Sequence, residues 1–94
     1  MERKEQGNTE TRIALIGIIV EDDSATDHLN SLLHEYRNNI IGRMGLPYRD
    51  RGICIISVVV DAPEKIISAL SGKLGMLPGI NVKTIYGKTG MQND

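Results

Sequence analysis

The chain has 94 residues, which is room for one small domain and excludes a second. Hydrophobic residues make up 40% of it and charged residues 24%, the composition of a folded globular chain and not of a disordered one. Because the formal net charge is only -1, we expect no direct nucleic-acid binding and no membrane association.

The first segment, residues 1–11 (MERKEQGNTET), is polar and aperiodic, which predicts a flexible tail. Residues 12–20, RIALIGIIV, are apolar at nearly every position and predict a strand buried on both faces. The one cysteine cannot form an internal disulfide, and no apolar run has the length of a signal peptide or a membrane span. We therefore expect a cytoplasmic protein.

An amphipathic helix is predicted within residues 21–39, EDDSATDHLNSLLHEYRNN. Its N-cap is expected at Asp23 or Ser24, because short polar side chains accept hydrogen bonds from the free N–H groups of a first turn. The negative charge of Asp27 in that turn interacts favourably with the positive end of the helix dipole. Five apolar side chains share the buried stripe: Ala25, Leu29, Leu32, Leu33 and Tyr36.

A β-hairpin follows. Residues 40–46, IIGRMGL, predict a strand loosened by glycine that ends before Pro47, and the polar turn PYRDRG leads into the strong strand ICIISVVV, residues 53–60. Asp61 and Glu64 form an acidic version of a capping box for a second helix, with Pro63 in its first turn. Its buried side chains are Ile66, Ile67, Leu70, Leu74 and Leu77.

The stretch LSGKLGMLPGINVKT, residues 70–84, contains a Gly-Lys pair that is reminiscent of a phosphate-binding loop. The required glycine and hydroxyl positions hold Ile67 and Leu74 instead, and the stretch follows a helix where such a loop follows a strand. We interpret it as a helix end near Met76 to Pro78, a turn, and a last strand beginning at Ile80. Residues 89–94 form a second predicted tail.

The predicted order is βαββαβ, which is an α+β ferredoxin-like sandwich: a four-stranded antiparallel sheet with two helices on one face, as in ACT domains. Right-handed crossovers place the first and third strands at the centre. Residues 12–88 form this single domain.

The side chains that could bind a metal ion or act in catalysis are not predicted to lie close together. His28 and His34 are six residues apart on one helix and face different directions, and Cys54 is predicted to be a small buried hydrophobe. We therefore expect no metal site, no catalytic residue and no cofactor. The acidic run from Glu21 to Asp23 is typical of a helix start, although paired catalytic carboxylates or a site for a hard cation are the alternatives.

Both faces of the two central strands are apolar, whereas the helices of this fold cover only one. Each central strand has two alternating rows of side chains. Whichever row packs on the helices, the other row forms an exposed apolar surface, which predicts a homodimer or a higher oligomer. The candidate interface residues are Ile13, Leu15 and Ile19 or Ala14, Ile16 and Ile18 of the first strand, with Ile53, Ile55 and Val59 of the third.

Three stretches resemble a known family: EDDSATDHLNSLLHEY, NNIIGRMGLPYRDRGICIISVVVD and ISALSGKLGMLPGINVKT. They are similar to the small regulators described for the iron-only hydrogenase system, over residues 12–88. The resemblance implies a fold similar to the C-terminal sensory domain of the nickel-responsive repressor and to ACT domains. It also implies a regulatory or sensing module and not an enzyme.

Two departures from those relatives limit the resemblance. The nickel repressor holds its metal with three histidines and a cysteine on and beside the sheet, and the predicted strands here contain no histidine. ACT domains commonly place a glycine after an acidic residue in the first loop, and EDDSAT has none.

The leading hypothesis is a non-enzymatic regulator that binds a small-molecule ligand or a partner protein. A structural or assembly module without a ligand is the alternative. If Ile40, Met44 and Leu46 face the helices, Arg43 lies on the helix-free face, where it is a candidate for holding an anion. The lesser ligand-binding candidates are Tyr48, Arg49 and Lys73.

Overall fold

A computed structural model describes residues 10–88 of the chain, and the predicted tail positions 1–9 and 89–94 lie outside the described residues. Strands and helices follow each other in the predicted order. They are β1 (Arg12–Val20), α1 (Thr26–Glu35), β2 (Ile40–Tyr48), β3 (Ile53–Ala62), α2 (Glu64–Gly75) and β4 (Ile80–Tyr86).

The four strands form one antiparallel sheet in the order β2-β3-β1-β4. Both crossovers run through a helix, so β1 and β3 lie at the centre, and the predicted ferredoxin-like arrangement is confirmed. Neither helix in residues 10–88 is long and apolar enough to cross a membrane.

The core lies between the sheet and the two helices. Along β1 every second side chain is buried, and β3 alternates in the same way, so each central strand turns one face to the helices. The helices contribute the buried stripes that their 3.6-residue period predicts. The core residues of the central strands and helices are Ala14, Ile16, Ile18, Val20, Ile56, Val58, Val60, Ala62, Leu29, Leu33, Ile67, Leu70 and Leu74.

The start of α1 differs from the expected one. Asp22, and not Asp23 or Ser24, is the capping residue: its carboxylate accepts a hydrogen bond from the backbone N–H of Ser24 at 2.9 Å. This bond opens a single 3-10 turn, residues 23–25, and α1 continues from it at Thr26 without a side-chain cap of its own.

Two strands are longer than expected. β2 continues through Pro47, which is tolerated because β2 is an edge strand and the missing N–H can face solvent. β3 continues to Ala62, so Asp61 lies in the strand and the predicted capping box is wrong. Pro63 occupies the N-cap position of α2 with an extended ψ of 149° and no side-chain cap.

The segment between α2 and β4 is the predicted helix end, turn and strand start. α2 ends at Gly75 with Met76 as its C-cap, and the left-handed Gly79, at φ 72°, redirects the chain into β4. The carbonyl of Gly79 accepts a 2.7 Å hydrogen bond from the N–H of Glu21. This bond fixes the turn against the end of β1.

Candidate functional site

The sheet face opposite the helices is apolar. In β1 the residues on this face are Ile13, Leu15 and Ile19, and all three are exposed. Their neighbours Ala14, Ile16 and Ile18, the other candidate set, lie in the core. The structure therefore decides which row of β1 lies on the helix-free face.

The edge strands extend this surface. Because paired residues of an antiparallel ladder share a face, Leu46 of β2, Ile55 of β3 and Ile19 of β1 form one transverse row. The edge-strand members of this surface were not predicted from the sequence, and their exposed fractions reach 69% at Met44 and 65% at Ile85. We define the open face by Ile13, Leu15, Ile19, Met44, Leu46, Tyr48, Ile53, Ile55, Val59 and Ile85.

A depression lies near the middle of the open face. Gly17 of β1 pairs with Ser57 of β3, so no large side chain covers this point of the sheet. Asn81 and Lys83 of β4 border the resulting cavity of about 370 Å³. The open face is therefore an apolar surface with a small recess that is itself mostly apolar and has polar side chains at its border.

Arg43 lies on the helix side of the sheet, not on the open face. A β-bulge between Ile40 and Gly42 adds one residue to β2, so that Ile40 pairs with Val60 and Arg43 with Val58, both on the helix face. Strict alternation from Ile40 therefore assigns the wrong face to every residue of β2 from Gly42 onward. This corrects the expectation that Ile40 shares a face with Met44 and Leu46.

The four predicted ligand-binding residues are not brought together as one site. Arg43 contacts α1, where its Nη2 donates a 3.3 Å hydrogen bond to Oδ1 of Asn30. Tyr48 lies on the open face at the end of β2, and Arg49 begins the 3-10 turn that follows.

Lys73 links the two helices. Its ammonium lies 5.2 Å from the centre of the Tyr36 ring and 3.9 Å from a carboxylate oxygen of Glu35. The Tyr36 hydroxyl, followed by the electrostatic attraction of Tyr36 and Glu35, raises the pKa of Lys73 above its ordinary value. These contacts give Lys73 a role in helix packing.

Side chains of the kinds that bind metal ions do not cluster within residues 10–88, where no three His, Cys, Asp or Glu side chains are arranged to hold a metal ion. His28 and His34 are both exposed on α1. Cys54 is a free thiol and is half-buried, less than expected for a core hydrophobe. It borders a cavity beside the acidic segment from Glu21 to Asp23.

Comparison with solved structures shows a close match to an uncharacterized protein from Thermotoga maritima, TM1266. The TM-score is 0.81 and the sequence identity 38%, over 84% of this chain and 100% of that one. The shared fold therefore extends over the whole of that protein.

Curated relatives include a "Putative nickel-responsive regulator" from Saccharolobus islandicus (strain L.S.2.15 / Lassen #1), 29% identical over 72 residues, which are 77% of this chain and 53% of the relative. A protein of the same description from Saccharolobus solfataricus is 28% identical over 80 residues, 85% of this chain and 59% of the relative. The chain thus spans about half the length of the curated relatives it matches.

A family model matches residues 12–84, nearly all of the described fold. Its description is "Iron-only hydrogenase system regulator, putative". The match confirms the resemblance seen in the sequence, and this chain belongs to the TM1266-like family that carries this description.

Proposed function

We propose that this chain is a regulatory module of an iron-only hydrogenase system and that it acts as a homo-oligomer assembled through the open face. The family description supports the regulatory role. The single observation that carries the assembly is the open face itself, with ten apolar side chains on one side of the sheet.

Burial of this surface is favourable. Apolar surface contributes roughly 25 cal/mol per Å² removed from water, and monomeric proteins rarely expose contiguous apolar patches of more than a few hundred Å². Leu15 and Ile19 on a central strand are 41% and 39% exposed, which is unusual for the middle of a sheet with water on one side.

A second copy is the partner that the surface favours. The open face is a broad sheet surface with few charges: Lys83 lies on the edge strand β4 and Asp61 near the end of β3. Two such sheets can stack face to face at about 10 Å, as in β-sandwiches, and a two-fold axis presents the same apolar rows from both copies.

Light scattering at micromolar concentration tests the assembly. The chain has a mass of 10.4 kDa, and we expect a multiple of it. Leu15→Asp places a charge on the open face and should give a folded monomer, whereas Ile16→Asp, at a fully buried position, should unfold the domain. Ser68→Asp on the exposed side of α2 is the control. A wild-type monomer would contradict the proposal.

An assembly module that binds no small molecule is the second candidate function. It is favoured by the separation of Tyr48, Arg49 and Lys73, and by the packing role of Lys73. A thermal-shift screen with nucleotides, amino acids and metal ions distinguishes the two functions, since a ligand that binds the folded state raises its apparent stability.

A further inference from the structure

A cleft separates α1, from Asn30 onward, from the first half of β2, on the helix side of the sheet. It has a volume of about 330 Å³. The cleft exists because β2 lies at the edge of the sheet, where only Ile40 is half-buried and the rest of the strand is exposed. Its lining residues are Asn30, Leu33, His34, Arg37, Ile40 and Arg43.

Two guanidinium groups border this cleft, and each is held by one hydrogen bond. Arg43 donates to Oδ1 of Asn30 at 3.3 Å, and Nη1 of Arg37 donates to the backbone carbonyl of His34 at 3.0 Å. The second bond also covers a carbonyl at the negative end of α1. Both arginines are therefore positioned by α1.

Neither arginine is neutralised by an ion pair within residues 10–88, where no carboxylate oxygen lies within 4.0 Å of Arg37 or Arg43. A guanidinium carries five N–H donors in a planar fork. Each group therefore keeps donors for a further acceptor. Two guanidinium groups in one cleft favour the binding of an anion, and a planar carboxylate matches the geometry of their N–H donors.

The inner wall of the cleft is apolar. Leu33 is 2% exposed and belongs to the core, and Ile40 packs against the core from β2. A cleft of about 330 Å³ is at the small end of ligand sites, which begin at roughly 300 Å³. An apolar wall below cationic donors therefore selects a small molecule that has both an anionic group and a hydrocarbon body.

We propose that this cleft binds a small aliphatic carboxylate. The carboxylate accepts hydrogen bonds from Arg37 and Arg43, and the hydrocarbon body lies against Leu33 and Ile40. The site deepens the proposed regulatory function by supplying a ligand class. Binding itself does not depend on assembly, because the cleft lies on the opposite side of the sheet from the open face. Only the use of this binding in regulation rests on the proposed function.

The test is a titration of the ¹⁵N-labelled 94-residue chain followed by NMR. The probes are isovalerate, the neutral isostere isovaleramide, and inorganic phosphate. We expect saturable amide shifts within residues 30–43 with isovalerate only. Arg37→Gln and Arg43→Gln should each weaken binding by about tenfold, the loss of one charge-assisted hydrogen bond. Arg49→Gln, outside the cleft, should leave it unchanged.

Arg43→Lys is the second variant, in case Arg43→Gln does not fold. It retains the charge but not the fork and should also bind more weakly. Equal binding of isovaleramide, binding of phosphate alone, shifts confined to other surfaces, or unchanged affinity in the arginine variants would each overturn the proposal. Light scattering on the same samples separates the two ideas: a monomer that binds isovalerate refutes the assembly and supports the cleft.

Discussion

At the scale of single residues, Gly79 fixes how β4 joins the end of β1. Its φ of 72° lies in the left-handed region, and a Cβ at this position would overlap with the Cβ of Asp22 and lie 3.1 Å from the Asp22 backbone nitrogen. Because Asp22 also caps the turn before α1, neither side of this contact can move freely.

We expect Gly79→Ala to lower the free energy of unfolding by about 1–3 kcal/mol, the cost of a left-handed non-glycine residue. Gly72→Ala is the matched control: Gly72 lies within α2 with no atom near its added Cβ, so this change should stabilise the protein by about 0.5–1 kcal/mol. Urea unfolding of both variants measures the difference. Equal changes in the free energy of unfolding in the two variants would show that the turn at Gly79 is not constrained.

Lys73 gives a prediction about pH. A pKa raised above the ordinary 10.5 means that its contribution to stability is complete below pH 10.5 and is lost as the pH rises through the folded-state pKa. Lys73→Met should therefore be less stable than the wild type at neutral pH by a constant amount, which is small because solvent screens this exposed pair, and the gap should close as the pH rises above 10.5. Urea unfolding across this range measures it, with Lys65→Met on the same helix as control. A gap that stayed the same after Lys73 had lost its proton would contradict the pairing.

At the scale of elements, β2 shows why pattern alone placed a candidate residue on the wrong face. The extra residue in the bulge reverses the alternation between Ile40 and Arg43, and one glycine beside it gives only a weak signal. Met44 and Leu46 thereby join the open face, and Arg43 faces α1.

Because the bulge contains one extra residue, we expect β2 to tolerate the deletion of one residue there. Deletion of Ile41 makes Ile40, Gly42 and Arg43 a regular alternation and should keep the fold, with amide shifts confined to the neighbourhood of the deletion. Deletion of Val59, which is paired in the central strand β3, should unfold the domain. Heteronuclear NMR spectra of the two deletions distinguish these outcomes. Unfolding by both would mean that the bulge is required.

At the scale of the whole molecule, assembly through the open face links stability to concentration. An oligomer that forms only from folded chains has a melting temperature that rises with protein concentration. We expect this rise for the wild type and its loss in Leu15→Asp, whose charge prevents the sheets from stacking. Calorimetry over a hundredfold concentration range is the measurement. A concentration-independent melting temperature for both proteins would refute the assembly.

The sequence by itself determined the order of elements, the central position of β1 and β3 and the buried stripes of both helices, because these follow from periodicity and crossover handedness. Only the tertiary structure decided which row of β1 faces the helices, since Ile16 and Leu15 are equally apolar in the sequence. It also decided the bulge that turns Arg43 toward α1 and the cleft it shares with Arg37. These depend on pairing between strands and on packing between elements distant in the chain, which local pattern does not encode.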